Sequence, residues 1–351
     1  MLATVLQSPG NVVLEEVPDP KIQLGTDAIV EVAAAGVCGS DLNHYRGGHF
    51  QTQFPKRMGH EFVGVVTEVG SEVSTLSPGD FVVASFSVCD GTCRNCRNGQ
   101  HSACEVVTYW GDPDHCGYLA DGAQGEKVRV PYADAVLVKV NATVPDSMLR
   151  DLLAATDSLA TGYHAAASGR VDSTSSVVVV GDGPVGLCAV LAAKLLGARR
   201  IILMSKYPSR QRMAIEFGAT DIVEKRGPAG VADVRELLDG SGADVVLECV
   251  GGSESFGQAI DVVRPGGVIE SVGVPNFDLP TETLRRLFFA NTSIHFAVAE
   301  SRAYLPTLIS HILSGAIQPG RIFDATVELA TVAEAYRLMD QRKAIKVMLK
   351  L

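Results

Sequence analysis

A chain of 351 residues, 46% hydrophobic and 20% charged, is long for one domain, natural for two, and apolar enough for a sizeable buried core. Its net charge of -10 argues against nucleic acid or an anionic membrane as the main partner, because phosphate binding needs clustered Lys and Arg. Met1 to Pro9 has no basic region leading into a long apolar stretch, no apolar run is long enough to span a bilayer, and the eight cysteines read as thiols or metal ligands, so a soluble cytoplasmic protein is expected.

From Thr4 to about Val144, short β-branched runs alternate with Gly, Pro and Asp turns, as in Asp27 to Ala34, Phe62 to Val69 and Asp80 to Ala84. That is the pattern of an irregular all-β domain. Within it, Gly36-Val37-Cys38-Gly39-Ser40-Asp41 follows the alternating run Ala28 to Ala35, and Gly59-His60-Glu61 opens the next strand. Cys, His and carboxylate are the ligand set of zinc, and a catalytic zinc wants three protein ligands and one open position for a substrate oxygen. Taken singly, Cys38 reads as a small buried hydrophobe and His60 as a satisfied core histidine. Together, on glycine-flanked turns where side chains converge, they favour a metal. Four more cysteines, Cys89, Cys93, Cys96 and Cys104, lie close together further along.

From about Leu149, helical and strand segments alternate. Val177 to Val180, Arg200 to Met204, Ile222 to Val223, Val245 to Val250 and Val268 to Val272 read as short buried strands, which implies a parallel sheet with helices on both faces. Between the first of these strands and a helix-like run, Leu187 to Leu196, stands Gly181-Asp182-Gly183-Pro184-Val185-Gly186. In that setting the first glycine permits a tight turn, the second lets the backbone approach a pyrophosphate, and the third lets helix pack closely on strand. Gly181, Gly183, Pro184, Val185 and Gly186 are thus candidate dinucleotide contacts, at a helix N-terminus that offers free N–H groups.

An acid at the end of the second strand would bind the ribose hydroxyls and repel a 2′-phosphate. None stands there. Ser205 can donate to a phosphate oxygen, Lys206 and Arg210 supply charge, and Tyr207 offers a face for adenine, so NADP is expected over NAD; a solvated basic loop is the alternative. Val250, Val272 and Val274 follow later strands at the carboxyl edge and are expected to line the nicotinamide side. After about Asn291, a helix over Tyr304 to Gly315, another over Val332 to Gln341 and a strand over Ala344 to Leu349 form a tail expected to return to the first domain. The domains would then be 1–150 with 291–351, and 151–290. Cys116 and Cys188 look structural.

Gly-Val-Cys-Gly-Ser-Asp, Gly-His-Glu, the cysteine cluster and the later glycine turn together resemble the medium-chain, zinc-dependent alcohol dehydrogenases, over nearly the whole chain. The resemblance implies an α/β fold with a Rossmann doubly wound parallel sheet plus a GroES-like irregular β domain. By that likeness Cys38 and His60 would be catalytic zinc ligands, and Glu61 a neighbouring carboxylate able to enter the metal sphere. The third ligand would fall within Ala155 to Tyr163, where Asp157 stands at a place that many members give to cysteine; capping a helix or pairing with a cation is the other reading of Asp157. Ser40 would relay the alcohol's proton. Members often continue the relay with a histidine three residues later, but this chain has Asn43 there and His44 next, which makes His44 the candidate. Asp41 would orient a ligand, or else cap a turn.

The family's structural-zinc lobe is spaced Cys-x2-Cys-x2-Cys-x7-Cys. Cys93, Cys96 and Cys104 fit, while the first position falls on Asp90, with Cys89 one residue early. Either Cys89 reaches the metal through a longer turn, or Asp90 supplies an oxygen, or the site is weak or empty. A bound structural zinc with Cys89 as fourth ligand is the expectation, because thiolate holds zinc well.

A polarising zinc beside a nicotinamide implies reversible hydride transfer between an alcohol carbon and the cofactor. The pocket is expected between the domains, with Phe86, Trp110 and His49 near the substrate where they face it; Trp110 serves equally well as a core or interface aromatic. Two rivals are a zinc-free NADPH-dependent quinone or enoyl reductase of the same superfamily, and a dinucleotide-binding protein without turnover. Metal content discriminates the first, and turnover of any alcohol the second. Members are commonly dimers or tetramers, so a homodimer or homotetramer is expected.

Overall fold

The computed structural model describes residues 1–48 and 52–351, so His49 falls outside the described residues. The chain divides into two units, Met1–Asp157 with Glu300–Leu351, and Ser158–Ala299.

In the first unit the β-branched run Ala28–Val37, apolar on both faces, is the central strand of a seven-stranded sheet. The order is Leu137–Lys139, Phe81–Ala84, Phe62–Val69, Ala28–Val37, Lys346–Lys350, Phe323–Glu328, and Lys127–Val130 also pairs with the central strand. Ala35 pairs with Phe62 and Val37 with Val347. This register decides the neighbourhood of the site. Cys38 leaves the end of the central strand, Glu61 precedes the strand on one side, and Lys346 begins the strand on the other. Gly36 lies between them, and a Cβ there would come within 2.0 Å of Glu61 Oε2, so glycine is what lets that carboxylate cross the central strand.

Phe62, Val30, Val82, Tyr336 and Val347 share one core. Each such side chain contributes roughly 1.5–3 kcal/mol by leaving water. Trp110 belongs to this core at 4% exposure, edge-on to Phe62 with centroids 5.0 Å apart, and its Nε1 donates to the Ser85 carbonyl at 3.0 Å. A core aromatic is therefore the role it takes. The helix Asp146–Thr156 also belongs to this unit, through its buried Leu152, Leu153, Ala154 and Ala155. A boundary at residue 150 would cut that helix.

In the second unit, Ser176–Val180 is buried at every residue, as a strand covered on both faces must be. It sits inside a six-stranded parallel sheet ordered Asp221–Val223, Arg200–Met204, Ser176–Val180, Ala243–Glu248, Val263–Ser271, Ser293–Phe296. The chain works outward on one side of Ser176–Val180 and then returns to its other side. In such a sheet ligands bind beyond the carboxyl ends of the strands where the order reverses. At that point Gly181 turns with φ +116, and the helix Pro184–Leu195 packs so closely that a Cβ on Gly186 would lie 1.9 Å from the Gly181 carbonyl oxygen.

The sixth strand departs from the sequence reading, which gave everything after Asn291 to the returning tail. Ser293–Phe296 pairs in parallel with Val263–Ser271, Ile294 opposite Ile269, and the unit runs to Ala299. As an exposed edge strand it lacks the apolar run that marks a buried one. Among the described residues, no helix is long and apolar enough to cross a membrane.

Candidate functional site

Cys38 is the N-cap of the helix Gly39–Tyr45, and its N–H donates to Asp41 Oδ2 at 2.9 Å. Asp41 is in turn fixed by Gln124 Nε2, which donates to Oδ2 at 3.1 Å, while the Tyr336 hydroxyl donates to Gln124 Oε1 at 2.8 Å. The other Asp41 oxygen stands 3.4 Å from His60 Nδ1. A carboxylate on one imidazole nitrogen sets the direction of the other, as is usual for a metal-binding histidine.

That other nitrogen, Nε2, lies 3.2 Å from Asp157 Oδ2, and the Cys38 thiol donates to the same oxygen at 3.2 Å. Asp157 follows the last turn of Asp146–Thr156 as its C-cap. One ligand atom from each of Cys38, His60, Glu61 and Asp157 falls within 4.8 Å of the others. A tetrahedron built on zinc bonds of about 2.0–2.3 Å has edges of roughly 3.3–3.7 Å, so the spacing suits the ion.

Burial pushes the Cys38 thiol up, and the Asp157 charge adds to it. Burial also works against charge on His60 and on Asp157, but their mutual contact, with Asp41 behind His60, holds the imidazole well above and the carboxyl well below its ordinary value. Glu61 is pushed up to about 7 by burial, against the pull of Lys346. Its Oε1 accepts from Lys346 Nζ at 2.7 Å with both side chains fully buried, and its Oε2 is a buried oxygen with no partner. A thiol, an imidazole and two carboxylates that converge in this way are a donor set that fits zinc.

Ser40 Oγ lies 3.4 Å from His60 Nε2, on the ligand side of the ring. His44 Nδ1 sits 2.7 Å from Thr52 Oγ1, and burial lowers its pKa.

In the cysteine lobe the donors gather around Asp90, the alternative to Cys89 at the fourth position. The donors that lie within 4.8 Å of one another are Asp90, Cys93, Cys96 and Cys104. Cys89 continues inward from the strand Ser87–Val88, fully buried, with its thiol 3.8 Å from the Ala135 carbonyl oxygen and pushed up to about 12 by burial and then by Cys104. Asp90 makes the turn instead, its Oδ1 accepting from the N–H groups of Thr92 at 2.8 Å and Cys93 at 2.9 Å. The backbone of Asp90 donates to Cys104 Sγ at 3.3 Å, and that of Cys96 to Cys93 Sγ at 3.5 Å. The Cys96 N–H contact lowers the Cys93 thiol, whereas burial raises that of Cys104.

In the second unit, space lies open in front of Gly183, where an added Cβ would meet nothing within 4 Å, and Pro184 holds the first helical turn. Val250 and Val274 are exposed, at 54% and 64%, and Val272 is half-buried. Glu248 ties the strand ends here. Its Oε1 accepts from Val250 N and Gly251 N at 3.0 and 2.9 Å, and its Oε2 from Ser271 Oγ at 2.9 Å. Ser205 and Arg210 are not open cationic or donor groups. Ser205 Oγ donates to Asp182 Oδ2 at 2.7 Å and Arg210 Nη1 to Asp182 Oδ1 at 2.9 Å, while Lys206 and Arg210 approach the Tyr207 ring at 5.4 and 5.0 Å.

Sequence reasoning passed over Lys346, Gln124, Tyr336 and Asp182. Only Asp182 carried a signal, as an acid inside the glycine turn.

The Alcohol dehydrogenase GroES-like domain family matches residues 25–142, and the Zinc-binding dehydrogenase family residues 184–314. Zinc-type alcohol dehydrogenase B of Aspergillus flavus is 35% identical over 358 residues, covering 100% of this chain and 81% of that protein. Among solved structures, the alcohol dehydrogenase TADH from Thermus sp. ATN1 aligns with a TM-score of 0.90 at 36% identity, over 100% of this chain and 99% of that one. A zinc-binding dehydrogenase from Sinorhizobium meliloti 1021 bound to NADP aligns with a TM-score of 0.81 at 26% identity, over 100% and 99%. Likeness of this extent, carried by sequence and by fold in both units, makes the chain an oxidoreductase that belongs to the medium-chain, zinc-dependent alcohol dehydrogenase family.

Proposed function

We propose that this oxidoreductase interconverts an alcohol and its aldehyde or ketone, with zinc and NADP. The observation that carries the reading is the convergence of Cys38, His60 and Asp157 on one point, with Glu61 beside them. When bound there, zinc supplies a Lewis acid that polarises a substrate oxygen, and the nicotinamide supplies the hydride acceptor or donor.

The chain's own residues do the rest. Asp41 orients His60, and Lys346 holds Glu61 by one oxygen so that the other stays free to face the metal. Ser40 takes the alcohol proton and passes it outward, with His44 next in the relay. Asp90, Cys93, Cys96 and Cys104 hold a second zinc that closes their loop.

For the dinucleotide, Gly181, Gly183, Pro184, Val185 and Gly186 receive the pyrophosphate, Val250, Val272 and Val274 flank the nicotinamide, and Ser205, Lys206, Tyr207 and Arg210 take the adenosine end. The NADP carried by the Sinorhizobium meliloti relative supports that cofactor. Two or four copies assemble, a reading supported by the open edge strand Ser293–Phe296 and the exposed Phe288 and Phe289. Eight free thiols support a reducing, cytoplasmic setting.

Native mass spectrometry of the purified protein tests the reading by counting ions and chains together, alongside turnover of a panel of alcohols. Two zincs per chain with NADP-linked oxidation are expected. Activity retained with no zinc would instead select the metal-free reductase chemistry.

A further inference from the structure

The adenosine ribose in a doubly wound sheet is ordinarily read by an acid at the end of the second strand. Here Ser205 stands at that place, after Arg200–Met204, and a carboxylate arrives from a different element. Asp182, between Gly181 and Gly183 and only 6% exposed, lays one oxygen on Ser205 Oγ at 2.7 Å and the other on Arg210 Nη1 at 2.9 Å. Its backbone is fixed by the contact between Gly186 and the Gly181 carbonyl, so the acid is built into the turn. Arg210 is also held over the Tyr207 ring at 5.0 Å.

We infer that Asp182 is a specificity-determining residue of the dinucleotide site, its negative charge taking up Arg210 and Ser205, the groups a 2′-phosphate needs. This rests on the dinucleotide reading above and sharpens it. The chain has moved the discriminating acid from the second strand into the glycine turn. A ribose 2′-hydroxyl can share the carboxylate's remaining lone pairs, whereas a 2′-phosphate meets a like charge and must draw Arg210 away from its partner. The preference for NADP is therefore held to a small margin by the protein itself.

The test is isothermal titration calorimetry of the full-length protein with NADP+ and with NAD+ separately. Asp182→Asn is nearly isosteric and keeps an acceptor for Ser205 while losing the charge. Wild type is expected to bind both dinucleotides within about tenfold of one another, and Asp182→Asn to tighten NADP+ relative to NAD+ by at least about tenfold, a gain that shrinks as salt is raised. Adding Arg210→Gln should abolish the gain. A ratio that stays within about twofold of wild type, or an equal loss of both ligands, would overturn the inference and leave Asp182 a purely structural acid. If Asp182→Asn does not fold, Asp182→Ser carries the same comparison. Failure of wild type to bind either dinucleotide would instead overturn the cofactor reading, and is told apart because it appears before any variant is made.

Discussion

Lys346 and Glu61 meet at 2.7 Å across the central strand of the first unit, and neither side chain has any solvent exposure. The ammonium also donates to the Val37 carbonyl oxygen at 3.3 Å, so it is anchored to the backbone just before Cys38. Burial opposes its charge, but Glu61, Cys38 and Asp157 together outweigh burial and raise its pKa.

Removing the ammonium alone leaves a buried carboxylate without its cation. Lys346→Met is expected to cost about 3–5 kcal/mol in urea unfolding of the zinc-loaded protein. Lys346→Met combined with Glu61→Gln should recover much of that loss. A coupling below about 0.5 kcal/mol in the double-mutant cycle would show that the two charges do not depend on each other.

The cysteine lobe predicts opposite behaviour for adjacent residues. Asp90→Ala and Cys93→Ser should each lower the zinc count by one per chain in native mass spectrometry. Cys89→Ser should leave the count unchanged and lower the melting temperature, because it replaces a fully buried thiol with a smaller and more polar hydroxyl. The reverse pattern would return Cys89 to the metal.

Ser40→Ala tests the relay. With zinc content and dinucleotide affinity unchanged, kcat for alcohol oxidation is expected to fall by about 10²–10⁴-fold. A fall within a factor of about three would assign proton removal to another group.

Asp134, a member of neither metal cluster, gives a pH prediction. Burial raises its pKa, but bonds from the Thr75 and Ser74 hydroxyls and N–H groups, at 2.6–3.0 Å, prevail and lower it. A carboxyl whose folded value is depressed stabilises fully above its unfolded value and loses that contribution as pH falls through the folded one. Asp134→Asn should therefore cost about 1–3 kcal/mol at pH 7. The gap from wild type should close as unfolding is followed down to pH 3. A gap independent of pH would contradict the ionic origin.

What could be read from the residues alone was whatever is local or patterned. Cys38 and His60 sit in short glycine-flanked motifs, the turn at Gly181 to Gly186 is contiguous, and Asp157 was reachable through likeness to the family. Lys346 was not, since a lysine in a C-terminal strand reads as solvated and its partner is 285 residues away. Gln124 and Tyr336 are equally silent, being ordinary residues made important by a chain of hydrogen bonds to Asp41. The choice between Cys89 and Asp90 depends on which side of a two-residue strand each one leaves, and spacing does not encode that. Ser293–Phe296 escaped because an edge strand need not be apolar.

The discontinuous first unit sets an order of assembly. Residues 158–299 form their sheet from one uninterrupted stretch, whereas the sheet around Cys38 needs Lys346–Lys350 between Ala28–Val37 and Phe323–Glu328. On a translating ribosome the nucleotide-type sheet has all its strands while the metal-type sheet still lacks two, and Glu61 waits beside Gly36 for a counter-charge not yet synthesised. Nascent chains are thus exposed to zinc and to chaperones with the thiols of the lobe complete and the sheet at Cys38 still open.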